Sequence, residues 1–575
     1  MIRLRYVVLG VALVAGYFLA SGLIARHHLE RAKYDVEQLR SSLLASDHAS
    51  AHHWMTAAQS QARSAHRWLA GPAWAGAAHL PWLGRPARVE RGLADVAVRL
   101  AVDALPPAVA AGDALTPSHL RRHDGAIRLD VFRAAAAPLA RAATAADTAS
   151  RQVATLPRSS WLPAANHAVS SAGSLIDDLR RVLRDAGDAS RLAPDMLGGA
   201  GVRRYLLVVE NDAEARGLGG LPGVTAVVSV ANGRLRLSDF HNNSYLVGLG
   251  KVAVDLPAAF RRTFAGDKVT TDFRDTDLSP DFPIAGKVWL AMWQAKTGER
   301  LDGAIAADPT TLSYLLDATG PAKLPDGTTV SADNVVSLTE QTIYSHVRPL
   351  AAREAYFIKI AQAAASQVID APHGSAHALV AAMSRAVTEH RLVLYSARPA
   401  EQTTLLATPL AGALPRTTAP FVAAIVNNGQ ASKLDYYLQR SVSYDRTGCS
   451  VSGMQLSTVT VRITNTAPEH LPAFVTHRSR STRDDPLGSE RLRVALYATA
   501  GAELLNATLD GSQLLVRPGS DAGHPRFESD VTVNRSATVT LVFHLIEPKS
   551  SAPPLIWRQP GVTPMTVDVA GRRCG

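Results

Sequence analysis

Residues 208–223, VVENDAEARGLGGLPG, break the rhythm of a chain otherwise dominated by alanine and leucine. A hydrophobic strand over 205–209 runs directly into Glu210, Asn211, Asp212, Glu214 and Arg216, and a glycine-rich turn and a second apolar run follow. Two readings stand: an exposed turn, or the rim of a site that handles a charged ligand. A dinucleotide loop is excluded, because the third glycine is misplaced and a strand follows where a helix is required.

On either side of this stretch the pattern is that of an α/β domain over 201–415. RRYLLVVE (203–210) reads as a strand. GVTAVVSVANGRLRLSDF (223–240) reads as a hairpin turning at Asn232-Gly233, a dipeptide suited to a type I′ turn. FPIAGKVWLAMWQAKT (282–297) predicts a helix stopped by Gly298. RLDGAIAA (300–307) is a short strand, and Asp308-Pro309 supplies the cap and first-turn proline of a helix ending near Gly320. Helices over 331–345, 351–369 and 376–390 and a strand at RLVLYSA (391–397) complete the alternation. After Pro415 the runs alternate with period two between turns, as in KLDYYLQRSVSYD (433–445) and STVTVRITNTAP (457–468), predicting a β-sandwich over 416–575.

Towards the N-terminus, 26–70 contains no glycine or proline over 45 residues, and Leu29, Val36, Leu39 and Leu43 follow a rough heptad. With further Ala-rich stretches at 85–111, 129–155 and 161–188, residues 26–200 read as a helical stalk or bundle. Its histidines, among them His27, His28, His52, His53 and His66, match no ligand spacing and read as solvated helix faces. YVVLGVALVAGYFLASGLIA (6–25) is 20 residues without a charge, long enough at about 1.5 Å per residue to cross a ~30 Å hydrocarbon core. It has a poor cleavage site, so 1–25 is expected to be a single-pass transmembrane signal anchor. The fold class expected is thus multidomain α+β: a transmembrane helix, a helical bundle, a central α/β domain and a C-terminal β-sandwich.

The 575 residues imply several domains, and a net charge of +10 favours anionic partners. The charge is dispersed, with no basic stripe interleaved with aromatics, so nucleic acid is not an expected partner. Arg3 and Arg5 before the apolar segment and Arg26, Arg31 and Lys33 after it leave orientation undecided. The two cysteines, Cys449 and Cys574, both fall in the sandwich. Joined, they would close a loop worth ~4–5 kcal/mol in the chain-entropy model and point to an extracytoplasmic location; two unpaired thiols is the other reading.

The familiar catalytic signatures are absent: no Gly-x-Ser-x-Gly, His-Glu-x-x-His, Walker loop or Cys-x-x-Cys occurs. What remains is three polar segments beside predicted strands. The first carries Glu210, Asp212, Glu214 and Arg216. SDFHNNSY (238–245) offers Asp239, His241, Asn242 and Asn243, and DFRDTDLSPDFP (272–283) offers Arg274, Asp275, Asp277 and Asp281. Carboxylates hold a hard cation through oxygen, guanidinium forks hold phosphate oxygens, and a helix starting near Phe282 adds backbone N–H groups. Solvated loops with aspartate caps, Asp281 a cap and nothing more, would give the same pattern.

ENDAEARGLGGLPG, RDTDLSPDFP, GAIAADPTTLSYLLDATGP and LDYYLQRSVSY together resemble a family of actinobacterial and related envelope proteins catalogued only as a domain of unknown function, number four thousand and twelve. The resemblance runs from about Arg203 to the C-terminus. Against the family's Asn-Asn-Ala-Glu-Leu-Arg and Thr-Gly-Gly-Phe, this chain has Asp212 for the second Asn and Leu218 and Leu221 at the Thr and Phe positions, while Arg216, Gly219 and Gly220 are kept. It implies topology and an envelope context, and no activity. The order of segments is also similar to that of the LytR-CpsA-Psr phosphotransferases, which move a glycan phosphate from a polyprenyl pyrophosphate carrier to a wall acceptor. Here, however, HNNSY follows the hairpin, and Arg274-Asp275-Thr276 comes some 34 residues later.

That second likeness implies Arg216, Arg274 and Asp275 as catalytic residues. Glu210, Asn211, Arg216, Asn243 and Arg274 would contact substrate, and Asp212, Asp239 and Asp275 would hold Mg²⁺. The expectation is a membrane-anchored envelope protein acting on lipid-linked or wall glycan, with other envelope proteins as partners. A non-catalytic scaffold or glycan-binding assembly protein is the alternative, and enzyme or not stays open.

Overall fold

The computed structural model describes residues 2–572 and 574, apart from 46, 82–83, 117–119, 123, 158–162, 348, 372–375 and 478–483; for 2–15 and 44 it describes the backbone alone. The chain divides into two compact units, 1–201 and 202–575.

In the first unit α1 (Ile2–Leu44) and α2 (His48–Leu69) pack on one another, α2 packs on α4 (Gly84–Arg99), α5 (Leu105–Ala114) on α6 (Leu129–Ala154), and α6 on α7 (Pro163–Met196). The short α3 (Pro72–Ala78) joins this set, and a π-helical turn, Leu100–Ala104, links α4 to α5. The seam is rich in alanine, such as Ala58, Ala62 and Ala101, which lets helix backbones approach closely. The stretch 26–70, free of glycine and proline, is divided between α1 and α2, the Asp47 carboxylate capping α2 by accepting from Ser50 N at 3.0 Å. Some histidines make interhelical contacts: His28 Nδ1 lies 2.6 Å from Gln61 Oε1, and His48 and His52 both reach Asp113.

The transmembrane anchor is corrected. Among the described residues no helix is long and apolar enough to cross a membrane, which argues against the expected single-pass localisation. The side chains of 6–15 lie outside the described residues. From residue 16 onward one face of α1 packs on protein: Trp74 Nε1 donates to Ser21 Oγ at 3.0 Å, Phe18 meets Trp74 edge-on, and Ala25 is buried with Leu69 and Ala94, while Tyr17, Leu19 and Leu23 on the other face are exposed.

The second unit opens with β1 (Arg203–Arg216), β2 (Gly219–Ala231) and β3 (Arg234–Asn242). With β4 (Gly303–Ala307) and β7 (Leu392–Ser396) they form a sheet of order β3-β2-β1-β4-β7, in which β1 and β4 are parallel and the other pairs antiparallel. Asn232 and Gly233 both have positive φ, as the type I′ turn requires. Between β3 and β4 lie α8 (Ala258–Thr263) and α9 (Phe282–Thr297), the latter ended by Gly298 at φ +77°. Then come α10 (Pro309–Thr319), a small hairpin of β5 (Ala322–Lys323) and β6 (Thr329–Val330), α11 (Val335–Ser337), α12 (Ile343–His346) and α13 (Leu350–Ile369). The helix expected over 331–345 is only α11 and α12, joined by a π turn, Leu338–Thr342. α14 (Ala376–Thr388) precedes β7, and α15 (Pro399–Leu405) follows it.

Period-two alternation sends the sheet's two faces to different neighbours. Leu206, Val208, Val227 and Ala304 pack with Phe282 and Trp289 of α9 in a filled core. Leu207, Val209, Val228 and Ile305 face α10 and α13 across open space.

The β-sandwich pairs two sheets. One, of order β13-β12-β16-β10-β9-β18, contains β9 (Leu438–Cys449), β10 (Gln455–Asn465), β12 (Glu503–Leu509), β13 (Ser512–Gln513), β16 (Thr538–Glu547) and β18 (Thr566–Gly571). The other, β14-β15-β11-β8-β17, contains β8 (Phe421–Asn428), β11 (Glu490–Ala498), β14 (Arg517–Asp521), β15 (His524–Val533) and β17 (Leu555–Trp557). Tyr444, Val461, Leu496 and Phe543 fill the space between them. Cys449, at the end of β9, is disulfide-bonded to Cys574.

Candidate functional site

The open space between the sheet and α10 and α13 is a cavity of about 860 Å³, within the range of small-molecule sites. Its wall on the helix side is a stripe on α13, Phe357, Ile360, Ala361, Ala365, Val368 and Ile369, at the three-and-four spacing of one helix face. Leu312 and Leu315 of α10 continue it. From Arg353 to Ile369, sixteen residues along α13, the lining extends about 24 Å.

One end of the cavity is charged, and 210–216 is part of it. These residues are neither an exposed turn nor a free rim: β1 continues through irregular pairing as far as Arg216 and is buried on both sides. The glycines explain the geometry. A Cβ on Gly220 would collide with the Asn211 carbonyl and stand 2.5 Å from Asp212 N. One on Gly217 would stand 2.6 Å from the Ser279 carbonyl carbon. Gly219 has φ +149°. Glycine thus lets β2 fold back directly on the end of β1.

Arg216 is fully engaged. Its Nη2 donates to Glu214 Oε1 at 2.9 Å, its Nε to Arg274 O at 3.1 Å and its Nη1 to Ala215 O at 3.0 Å; Asp275 Oδ1 lies 3.6 Å away. Lys433 donates to the other Glu214 oxygen. Burial pulls the Glu214 carboxyl up, but Lys433 and Arg216 outweigh it and hold it below the ordinary range. Arg274 is half-exposed and forked onto Asp272, Nε to Oδ1 at 2.9 Å and Nη2 to Oδ2 at 2.7 Å. Burial raises Asp275, with Arg216 opposing.

At the same end of β1, partly lining the cavity and partly behind it, lies a set of buried carboxylates. Asp212 and Asp308 share the guanidinium of Arg391, whose Nη1 lies 3.5 Å from Asp212 and hydrogen-bonds Asp308. Asp212 N donates to Glu340 Oε1 at 2.8 Å, and Glu340 belongs to the π turn. Burial, and then Asp308, push the Asp212 carboxyl up to about 8 against the pull of Arg391. Glu210 and Glu340 are raised well above the ordinary range, burial first and neighbouring carboxylates second. Glu210 Oε1, Asp212 Oδ1 and Glu340 Oε2 reach no donor among the described residues.

The sequence-derived candidates divide accordingly. Glu210, Asn211, Arg216, Asn243, Arg274 and Asp275 all line the cavity. Asn211 Nδ2 donates to Tyr344 Oη at 2.7 Å, and Asn243 Nδ2 to Pro222 O at 3.0 Å. The three proposed metal ligands do not meet. Asp239 follows Ser238, which pairs with Val227 and through it stands beside Leu206, about ten strand residues, roughly 30 Å, from Arg216 and its neighbour Asp275. Asp239 takes a hydrogen bond from Ser238 Oγ at 2.8 Å and lies 3.9 Å from Arg204. Asp212 is only 2 % exposed and turned to Arg391. Among the described residues no three His, Cys, Asp or Glu side chains are arranged to hold an ion, so these acids do not fit a shared Mg²⁺. Asp281 stands at the N-cap position of α9, but its carboxylate accepts from Leu414 N at 2.9 Å and not from the helix.

Sequence reasoning did not single out Arg353, Tyr344, Lys433 or Phe474, which also line the cavity. A signal existed for Arg353, the charged residue at the head of an apolar stripe. None existed for Lys433 or Phe474, which arrive from distant segments.

Residues 200–344 match the profile of a family described as a protein of unknown function (DUF4012). No curated protein and no solved structure matches the chain, so the likeness to the LytR-CpsA-Psr enzymes is not shown.

Proposed function

We propose that this protein holds a lipid-linked anionic glycan of the polyprenyl pyrophosphate type, its apolar chain in the cavity and its phosphates at the charged end. The observation that carries this reading is the cavity itself: about 860 Å³, an aliphatic wall about 24 Å long on α13, and Arg216, Lys268, Arg274, Arg353 and Lys433 at one end. A soluble sugar or nucleotide would leave such an aliphatic length unfilled, whereas an isoprenoid chain gains roughly 25 cal/mol for each Å² of apolar surface it removes from water. Two features favour holding over transfer. Arg216 and Arg274 are already engaged by Glu214 and Asp272, and the acids expected to bind metal lie apart.

Glycan phosphotransfer is the second reading, favoured by Asp275. It lines the same end as Arg274, and burial raises its carboxyl. Its carboxylate could accept the proton of an acceptor hydroxyl as the hydroxyl oxygen bonds to phosphorus and the carrier phosphate leaves with the bond electrons.

The test is calorimetric melting of the full chain with a polyprenyl pyrophosphate, the matching polyprenol, and inorganic pyrophosphate. A ligand at a hundred times its dissociation constant stabilises by about 2.7 kcal/mol. A shift with the polyprenyl pyrophosphate that exceeds those of both fragments supports the reading; no shift with any of the three ends it. Release of labelled carrier phosphate with Mg²⁺ and a glycan acceptor, lost in Asp275→Asn, would favour the second reading over the first.

A further inference from the structure

Arg353 opens the apolar stripe of α13 and is only 3 % exposed, yet it lines the cavity. Its guanidinium carbon lies 3.7 Å from the centre of the Phe474 ring and 5.5 Å from that of Tyr344. Its hydrogen bond is a long one, Nη1 to Val347 O at 3.4 Å. The neighbouring carboxylate, Glu354, is occupied by Asn242 Nδ2 at 2.7 Å. Desolvation pulls the Arg353 guanidinium below its ordinary range, as expected of a buried cation without a counter-ion.

Other buried cations nearby are differently held: Arg440, which does not line the cavity, has no carboxylate partner among the described residues but donates to Gln559 Oε1 at 2.9 Å and Pro560 O at 3.1 Å. Arg216 and Lys433 share Glu214, and Arg391 is held by Asp308, Asp212 and Glu389. Arg274, at the surface, is forked onto Asp272. Among the described residues Arg353 has no carboxylate within ion-pair distance. Burying a charge without a partner is costly, and a stacked guanidinium still offers the N–H groups of its edge to an oxyanion.

We propose that Arg353 is the anion-binding residue of the cavity: its counter-ion is the oxyanion head of an amphipathic ligand whose apolar chain runs along Phe357, Ile360, Ala361 and Val368. The proposal rests on the reading that the cavity holds an apolar chain, and it assigns the head group to a residue at the start of α13 in place of Arg216 and Arg274. A phosphate or a carboxylate head satisfies the same chemistry.

The test uses the full chain loaded with Nile red, a neutral dye, displaced by dodecanol, dodecyl phosphate and dodecanoate below their micellar concentrations. Wild-type protein should prefer dodecyl phosphate to dodecanol by on the order of tenfold or more, the scale of a charge-assisted hydrogen bond. Arg353→Met should release the dye equally to both while remaining folded, because it replaces a buried unpaired charge by an apolar chain of similar length. Arg353→Lys, which keeps charge but loses the fork, should fall between. A dodecanoate response equal to that of dodecyl phosphate marks a general oxyanion site, and a weaker one a phosphate site; either supports the proposal. Equal displacement by alcohol and phosphate in the wild type, or a preference that survives in Arg353→Met, overturns it while leaving the apolar cavity reading intact. Failure of every chain, dodecanol included, to displace the dye overturns the cavity reading itself. Should Arg353→Met not fold, the wild-type preference and its reduction in Arg353→Lys decide.

Discussion

The guanidinium of Arg391, the residue immediately before the edge strand β7, lies 3.5 Å from the carboxylate of Asp212, near the far end of the longest strand. It is at the same time the ion-pair partner of Asp308, so two buried acids lean on one base. The imbalance makes stability a function of pH.

Asp212 is pushed up to about 8 from an ordinary 3.8. A group raised in the folded state holds a proton there that the unfolded chain has lost. Its contribution is therefore complete below about pH 4 and disappears as pH rises through about 8. Glu210, Glu340 and Asp277 are raised in the same sense, while Glu214 is lowered and loses its contribution on acidification below its ordinary range. Each unit of displacement corresponds to about 1.4 kcal/mol. Calorimetry of the full chain should show a higher melting temperature for the 202–575 transition at pH 5.5 than at pH 8.5. Asp212→Asn should reduce that difference; a difference of opposite sign would refute the account.

Lys433 and Arg216 jointly neutralise Glu214. Lys433→Met removes half of that compensation and should destabilise by about 3–5 kcal/mol, the usual cost of stranding a buried charge. Glu214→Gln combined with Lys433→Met should recover a substantial part. A double-mutant cycle in urea measures the coupling, and strictly additive losses would show that the pair does not act together.

Gly220 has an ordinary φ, so its requirement is one of space alone. Gly220→Ala should cost about 3 kcal/mol or more, at the upper end of overpacking, because the obstruction is strand backbone that cannot rotate away. Gly250→Ala differs: nothing lies within 4 Å of its added Cβ, and the penalty comes from a φ of +75°. Urea midpoints rank the two, and a Gly220→Ala protein as stable as wild type would contradict the packing described.

Ala361 faces the cavity from the middle of α13. Ala361→Leu should fill part of it, raising the stability of the ligand-free protein by on the order of 1 kcal/mol through added apolar contact. The same variant should lose the melting shift produced by long-chain ligands. Retention of that shift would mean the ligand seats elsewhere.

The elements that came through clearly in the sequence are those specified by neighbouring residues. Asn232-Gly233 dictates its hairpin, Asp308-Pro309 starts α10 with the Asp308 side chain accepting from Thr311 N at 2.6 Å, and Gly298 closes α9. What could not be read locally was the fate of 210–216. Charges at a strand end suggest solvent, and only the arrival of Lys433, Asp435 and Gln559 from more than two hundred residues away turns them into an interior network. The same holds for the candidate site. Asn211, Arg216, Arg274 and Asp275 could be named because they adjoin predicted strands, but the contacts of Arg216 with the Arg274 carbonyl and the Asp275 carboxylate exist only in three dimensions. For the apolar segment at the N-terminus, uniform hydropathy suggested lipid, whereas one face of its described part, through Phe18 and Ala25, packs on Trp74 and Leu69.

The long first strand also bears on where this protein can be cut. Its leading half is zipped between β2 and β4, but its trailing half leans on the sandwich: Ala215 N donates to Asp435 Oδ2 at 3.0 Å, and Gln559 Nε2 donates to Arg216 O at 2.6 Å. Arg391 likewise donates to Gly561 O at 2.9 Å. A fragment trimmed to the family segment 200–344 would carry Glu210, Asp212, Glu214 and Glu340 with neither Arg391 nor Lys433 to neutralise them. The recognisable segment is therefore not an autonomous module: heredity and cooperativity draw their borders in different places along this chain.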